Sequence, residues 1–143
     1  MTADFEELAR AYWASPPYDR TWDSDEEHPF DTIVELLDSD DATLSALLRA
    51  LALAAPEERL PFLGTSWVES LENRFEREGT VGKSITVLLA TGLDAEALFR
   101  ILSGVYPDWL ASMGAAELLK GRVSSAQISW LVDPAAPGRS DSL

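Results

Sequence analysis

At 143 residues and 15.7 kDa, with 46% hydrophobic and 25% charged side chains, the chain has the size and make-up of one globular domain, which excludes collagen, low-complexity chain and wholesale disorder. A chain of this length buries roughly two-thirds of its unfolded surface, so its fold needs neither metal nor disulfide. Twenty-five acidic against eleven basic side chains give a formal net charge of −14, and the lack of cysteine excludes disulfide scaffolds, thiolate zinc sites and cysteine nucleophiles.

Apolar residues recur at helical spacing through most of the chain. Phe5, Leu8, Ala9 and Tyr12 predict a first helix, with Thr2 as cap and Asp4, Glu6 and Glu7 at the positive end of its dipole; Ser15-Pro16-Pro17 stops it. Residues 16–29 read as an acidic loop carrying Tyr18 and Trp22. Pro29 suits the first position of a second helix, whose inward stripe is Phe30, Ile33, Val34 and Leu37. Ser39-Asp40-Asp41 ends that helix and caps a third, with Leu44, Leu47, Leu48 and Leu51 inward and Pro56 as its end. A short helical turn at 57–63 closes at Gly64. Ser66-Trp67-Val68-Glu69 reads as a capping box that opens a new helix, with Val68, Leu71 and Phe75 inward, Glu72, Glu76 and Arg77 outward, and Gly79 as its stop.

Residues 81–90 are apolar on most sides and predict a central buried helix, although their Val, Ile and Thr content also suits a short strand. Asp94 caps the next helix, Leu93 is placed to staple onto Leu98, and Leu98, Ile101, Leu102 and Val105 face inward. Pro107 breaks it before Trp109, Leu110 and Met113. Shorter helices follow over 115–120 and 124–131, and Trp67, Trp109 and Trp130 are assigned mostly to the core. No segment alternates with period two for long. The expected fold is all-α, a single domain over residues 1–133 built from about six to eight short helices, with 134–143 as a flexible C-terminal tail.

The charge is unevenly placed. Residues 1–41 hold thirteen of the 25 acids but only two bases, Arg10 and Arg20. Phosphate recognition needs clustered cations, and this chain has two lysines, Lys83 and Lys120, with its nine arginines scattered. Direct nucleic-acid binding is therefore not expected, and an anionic membrane surface would repel the chain. The most apolar stretch, Leu44 to Ala55, is short and broken by Arg49, and the N-terminus is acidic where a secretion leader would be basic and then apolar. A soluble, cytoplasmic protein is expected, with a basic protein as its partner.

Three patterns bear on chemistry. Gly79-Thr80-Val81-Gly82-Lys83-Ser84 has the ending of a phosphate-binding loop, but position 77 is Arg77 where that loop needs glycine, and a charged helix precedes it instead of a strand. A helix stop at Gly79 followed by a new helix start accounts for it. His28, the only histidine, lies beside Asp23, Asp25, Glu26 and Glu27, a set that could hold a divalent ion but lacks the glycine and register of a calcium loop. A serine nucleophile would have only His28 as base, and no Gly-x-Ser-x-Gly elbow is present. No catalytic residue, metal or cofactor is assigned.

The segment from Tyr12 to Asp41 interleaves Tyr12, Trp13, Tyr18, Trp22 and Phe30 with ten acids between Asp19 and Asp41. Aromatic anchors ringed by charge are the make-up of a protein-binding hot spot, and acidic steering speeds encounter with a basic partner. The candidate partner-binding residues are Tyr18, Trp22, Asp23, Asp25, Glu26, Glu27, Phe30 and Asp31. The alternative is a solvated face whose aromatics reach back into the core.

Leu63-Gly64-Thr65-Ser66-Trp67-Val68-Glu69-Ser70-Leu71, with Gly79 closing the helix, resembles a signature of small acidic bacterial helical domains of unknown function. Those read roughly Leu-x-x-Gly-apolar-Glu-x-Leu, and the resemblance extends over about residues 5–80. This chain departs in having Ser66 where a second glycine is common, and in lacking a histidine near the helix end. The resemblance implies an all-α fold in a bacterial cytoplasm, and it gives no activity or catalytic residue to carry over. Together these readings describe an acidic binding module, of the kind that acts as an immunity or inhibitor protein over the basic site of a toxin nuclease. The alternatives are a DNA mimic, or a metal-dependent enzyme centred on Asp23, Asp25, Glu27 and His28.

Overall fold

The first turn of a helix leaves amide donors open, and a preceding carboxylate closes them. Asp40 and Asp94 do this, accepting from Thr43 N and Ala97 N, each at 2.8 Å. The computed structural model describes residues 5–14 and 29–136. Its helices are α1 (Phe5–Ala14), α2 (Pro29–Leu36), α3 (Asp41–Ala54), α4 (Leu60–Leu63), α5 (Glu69–Arg77), α6 (Lys83–Leu89), α7 (Ala95–Leu102), α8 (Pro107–Ser112), α9 (Ala115–Leu119) and α10 (Ser125–Val132). No strand occurs among the described residues, so the fold is all-α and residues 83–89 take the helical alternative.

The helix boundary expected at Gly64 to Ser66 does not form. Gly64 is helical, and a π-helical turn over Gly64–Val68 joins α4 to α5 without a break. Ser66 is therefore interior: its carbonyl accepts the Ser70 hydroxyl at 2.6 Å, and its side chain caps nothing. Gly64 serves proximity instead. A Cβ there would lie 1.9 Å from the Ile101 carbonyl oxygen, and one on Gly104 would lie 1.7 Å from that of Pro61. The capping box that does form is Ser124 with Gln127, whose reciprocal bonds are both 3.1 Å. Ser124→Ala is accordingly expected to cost about 1 kcal/mol, and Ser66→Ala no more than about 0.5 kcal/mol. Thermal melts of the two variants side by side check this.

Burial follows the stripes. α1 lies along α3, placing Ala9 and Tyr12 against Leu44, Leu47, Leu48 and Leu51 in one continuous core. Trp67, Val68, Leu71 and Phe75 line the inner side of the α4–α5 run, and α7 adds Leu98, Ile101 and Leu102. α6 is central, packed on α3, α5, α9 and the π turn, with Ile85 and Leu88 fully buried. Each such side chain contributes roughly 1.5–3 kcal/mol. Gly79 ends α5 at φ +79, and Thr80 N closes the motif on Phe75 O at 2.7 Å.

Two aromatics grouped with the acidic surface belong to this core. Tyr12 is 1% exposed and meets Trp13 and Trp67 edge-on. Burial pushes its phenol above the ordinary range, against the opposing influence of Trp67 and the Arg59 charge. Trp13 is half-buried, and its indole N–H donates to Leu51 O at 2.8 Å. At the other end, α10 packs on α7, α8 and α9, with Trp130 5.4 Å from Phe99. A turn over residues 133–136 follows, in which Ala136 is buried.

Candidate functional site: an acidic edge on α2 and α3

Of the residues singled out in the sequence, Tyr18, Trp22, Asp23, Asp25, Glu26, Glu27 and His28 lie outside the described residues. Phe30 and Asp31 fall in the first turn of α2, and Asp31 is half-buried. The helix presents Ile33 to the core, with Leu36 and Leu37 half-buried beside it. Val34 does not join that stripe and is 44% exposed.

Glu35, Asp38, Asp40 and Asp41 are all exposed, and they form an acidic edge from α2 through the connection into α3. Among the described residues two cations approach it, Lys83 and Arg74. Lys83 pairs with Asp41 at 3.2 Å. Arg74 donates to Leu37 O at 2.6 Å and Ser39 O at 3.0 Å, and to Glu78 at 3.1 Å, so its charge serves the carbonyl end of α2. Glu35 and Asp38 make no ion pair among the described residues. The Thr43 backbone amide holds the Asp40 carboxyl below its ordinary range, so this carboxylate keeps its charge in mild acid. Among the described residues, then, only Asp41 of the four carboxylates has an ion-pair partner, and the edge keeps an excess of negative charge.

The Gly82-Lys83-Ser84 segment does cradle an anion, but the anion is the protein's own. Glu72, expected to face outward, is fully buried. Its carboxylate accepts from Gly82 N at 2.8 Å, Ser84 N at 3.3 Å and Ser84 Oγ at 2.7 Å. Lys83 turns away to Asp41 and the Phe75 ring, 5.1 Å from its centroid. The amides that would receive a phosphate are thus occupied by Glu72.

Two features were not anticipated from the sequence. An open groove of about 470 Å³ runs between α3 and α6 over Ala42, Ala46 and Ala90. Asp41 and Arg49 also line it, and Arg49 donates to Thr91 O at 2.9 Å. Next to the π turn, Glu69 is half-buried and accepts only a long bond, 3.3 Å, from Tyr106 N. Burial raises the Glu69 pKa above its ordinary value near 4.5, and the Tyr106 amide only partly opposes this. A folded-state pKa above the unfolded one favours folding at low pH, and that contribution is lost as pH rises through the folded value. Glu69→Gln is thus expected to melt above the wild type at pH 7, with the advantage shrinking as pH falls toward the ordinary carboxylate value. Paired melting curves between pH 4 and 8 measure it.

Among the described residues no group of three or more His, Asp or Glu side chains could hold a metal ion, and no helix is long and apolar enough to cross a membrane. Comparison with protein families, with curated proteins and with solved structures finds no match to this chain.

Proposed function

We propose that this protein is an acidic binding module that docks on a basic protein and masks its cationic surface, as an immunity or inhibitor protein does over a toxin's active site. The observation that carries the reading is the edge from Glu35 to Asp41. Among the described residues only Asp41 of its four exposed carboxylates has an ion-pair partner, and the edge belongs to the acid-rich first 41 residues. A field of one sign raises the encounter rate with an oppositely charged partner and contributes less to residence time. Val34, exposed next to Glu35, supplies apolar contact beside the edge.

The experiment begins with affinity capture from the native lysate at low and high salt. It then measures association rates between the purified pair. Glu35→Gln/Asp38→Asn, and separately the neutralised set Asp23→Asn/Asp25→Asn/Glu26→Gln/Glu27→Gln, should slow association severalfold and flatten its salt dependence, with little change in dissociation. A captured partner whose association is indifferent to salt and to both sets of substitutions would sink the proposal, as would the absence of any specific basic partner at either salt.

A further inference from the structure

A second surface lies on the other side of α5, where the chain from α7 enters α8. Glu69 and Glu76 stand two turns apart on α5, about 10 Å along its axis and on the same face. Tyr106 N donates to Glu69 Oε2, and the Trp109 indole N–H donates to Glu76 Oε2 at 2.6 Å. These bonds link α5 to the start of α8 and place both carboxylates beside an aromatic pair. Tyr106 is 63% exposed, and it precedes Pro107, the first residue of α8, so a rigid helix start displays it. Neither Glu69 nor Glu76 has a cationic partner among the described residues, and exposed Arg77 pairs with neither. Arg74 points to α2 on the opposite side, so this face is separate from the acidic edge.

We infer that the α5–α8 face docks a basic protein segment through two cationic side chains, one on each of Glu69 and Glu76, with the Tyr106 ring covering the chain between them. This inference rests on the reading of the protein as a binder of basic proteins and assigns that partner a second point of attachment. A chain in the polyproline-II conformation rises about 3.1 Å per residue with three residues per turn, so cations three positions apart share one face and roughly match the spacing of about 10 Å. Arginine fits best, because its guanidinium pairs with a carboxylate and also stacks on an aromatic face. Glu69 is half-buried with no ion-pair partner among the described residues, and a guanidinium would supply that counter-charge.

The test is a titration of the full chain with a synthetic peptide carrying arginine at every third position, followed by calorimetry and by the NMR signals of the Trp109 indole N–H and the Tyr106 amide. Both signals should shift, and Glu69→Gln/Glu76→Gln should weaken binding about tenfold or more, a hot-spot-sized loss. Glutamine keeps an acceptor for both internal bonds, so this variant tests charge without dismantling the contact. Tyr106→Ala, which leaves the backbone donor in place, should also weaken binding. Glu35→Gln/Asp38→Asn should change this affinity little. Peptide binding unchanged by the Glu69/Glu76 variant overturns the inference. If the loss instead follows Glu35 and Asp38, the acidic-edge reading stands and this face is excluded. If the peptide binds neither face, this inference fails, while the acidic-edge reading still stands or falls on capture of its protein partner.

Discussion

Glu72→Ala is expected to destabilise the fold by about 3 kcal/mol or more, because three buried donors lose their acceptor at once. The substitution strips the acceptor from the Gly82 amide, the Ser84 amide and the Ser84 hydroxyl, all in a site closed to water. Each orphaned donor costs roughly 1–3 kcal/mol, and the lost side-chain volume adds a cavity. Against a total stability of about 5–15 kcal/mol this is a large share. Glu72→Gln keeps one oxygen but turns an NH2 group toward the same donors, so it should fall between alanine and wild type. Urea unfolding gives the order directly through the midpoints. An alanine variant within about 1 kcal/mol of wild type would mean that the turn before α6 holds without its carboxylate. The effect also reaches the acidic edge. Lys83 lies between the two residues that Glu72 grips, and it is the cation that quiets Asp41. Loosening the turn should release Lys83 and alter association with a basic partner.

Glu72 also shows where sequence reasoning loses sight of a structure. It lies four residues after Val68 and three before Phe75, on the inner stripe, and only its charge assigned it to solvent. Its burial depends on amides ten and twelve residues further along, which no window of one helix includes. The stripes through Leu44–Leu51 and Leu98–Leu102 were legible because a 3.6-residue period and an aspartate cap are local facts. The false capping box at Ser66 fails for the opposite reason. The residue pattern is right, but a cap needs extended backbone at its first position, and packing of Gly64 against Ile101 keeps the chain helical there.

The candidate site divides in the same way. That the first 41 residues carry an acidic field is arithmetic on the sequence, and the exposure of Glu35, Asp38, Asp40 and Asp41 agrees with it. That Tyr12 serves the core was readable from its spacing with Phe5, Leu8 and Ala9, although its place among acids suggested a surface role. The α5–α8 face was not readable. It joins Glu69 to Tyr106 across 37 positions and Glu76 to Trp109 across 33, and nothing local to either segment announces the pairing.

Gly64→Ala is the other substitution expected to act strongly, at about 3 kcal/mol or more, the upper range for overpacking. The reason is the identity of the obstructing atoms. A flexible side chain can rotate away from a new methyl group, but the atom 1.9 Å from the added Cβ is the Ile101 carbonyl oxygen, with the carbonyl carbon at 3.0 Å. Non-bonded atoms settle at about 3.5 Å, so the two helical runs would have to separate by more than 1 Å. Gly104 meets Pro61 O across the same crossing, and the Thr65 hydroxyl bonds Gly104 O at 2.6 Å between them. Gly104→Ala should therefore cost about as much, and the double variant less than the sum, since both relieve one contact. Gly79→Ala is the control: nothing lies within 4 Å of its added Cβ, and only the strain of φ +79 remains, about 1 kcal/mol. Melting temperatures should fall by roughly 10 °C for either crossing variant and by about a third of that for the control. Equal losses at Gly64 and Gly79 would mean that the crossing is looser than drawn. The chain leaves this crossing at Gly104 and reaches Tyr106 two residues later, so separating the helices also pulls the Tyr106 amide from Glu69. A partly folded Gly104→Ala variant should then bind an arginine-bearing peptide more weakly while keeping the charge of the α2–α3 edge, which links the tightest packing in the fold to the second docking face.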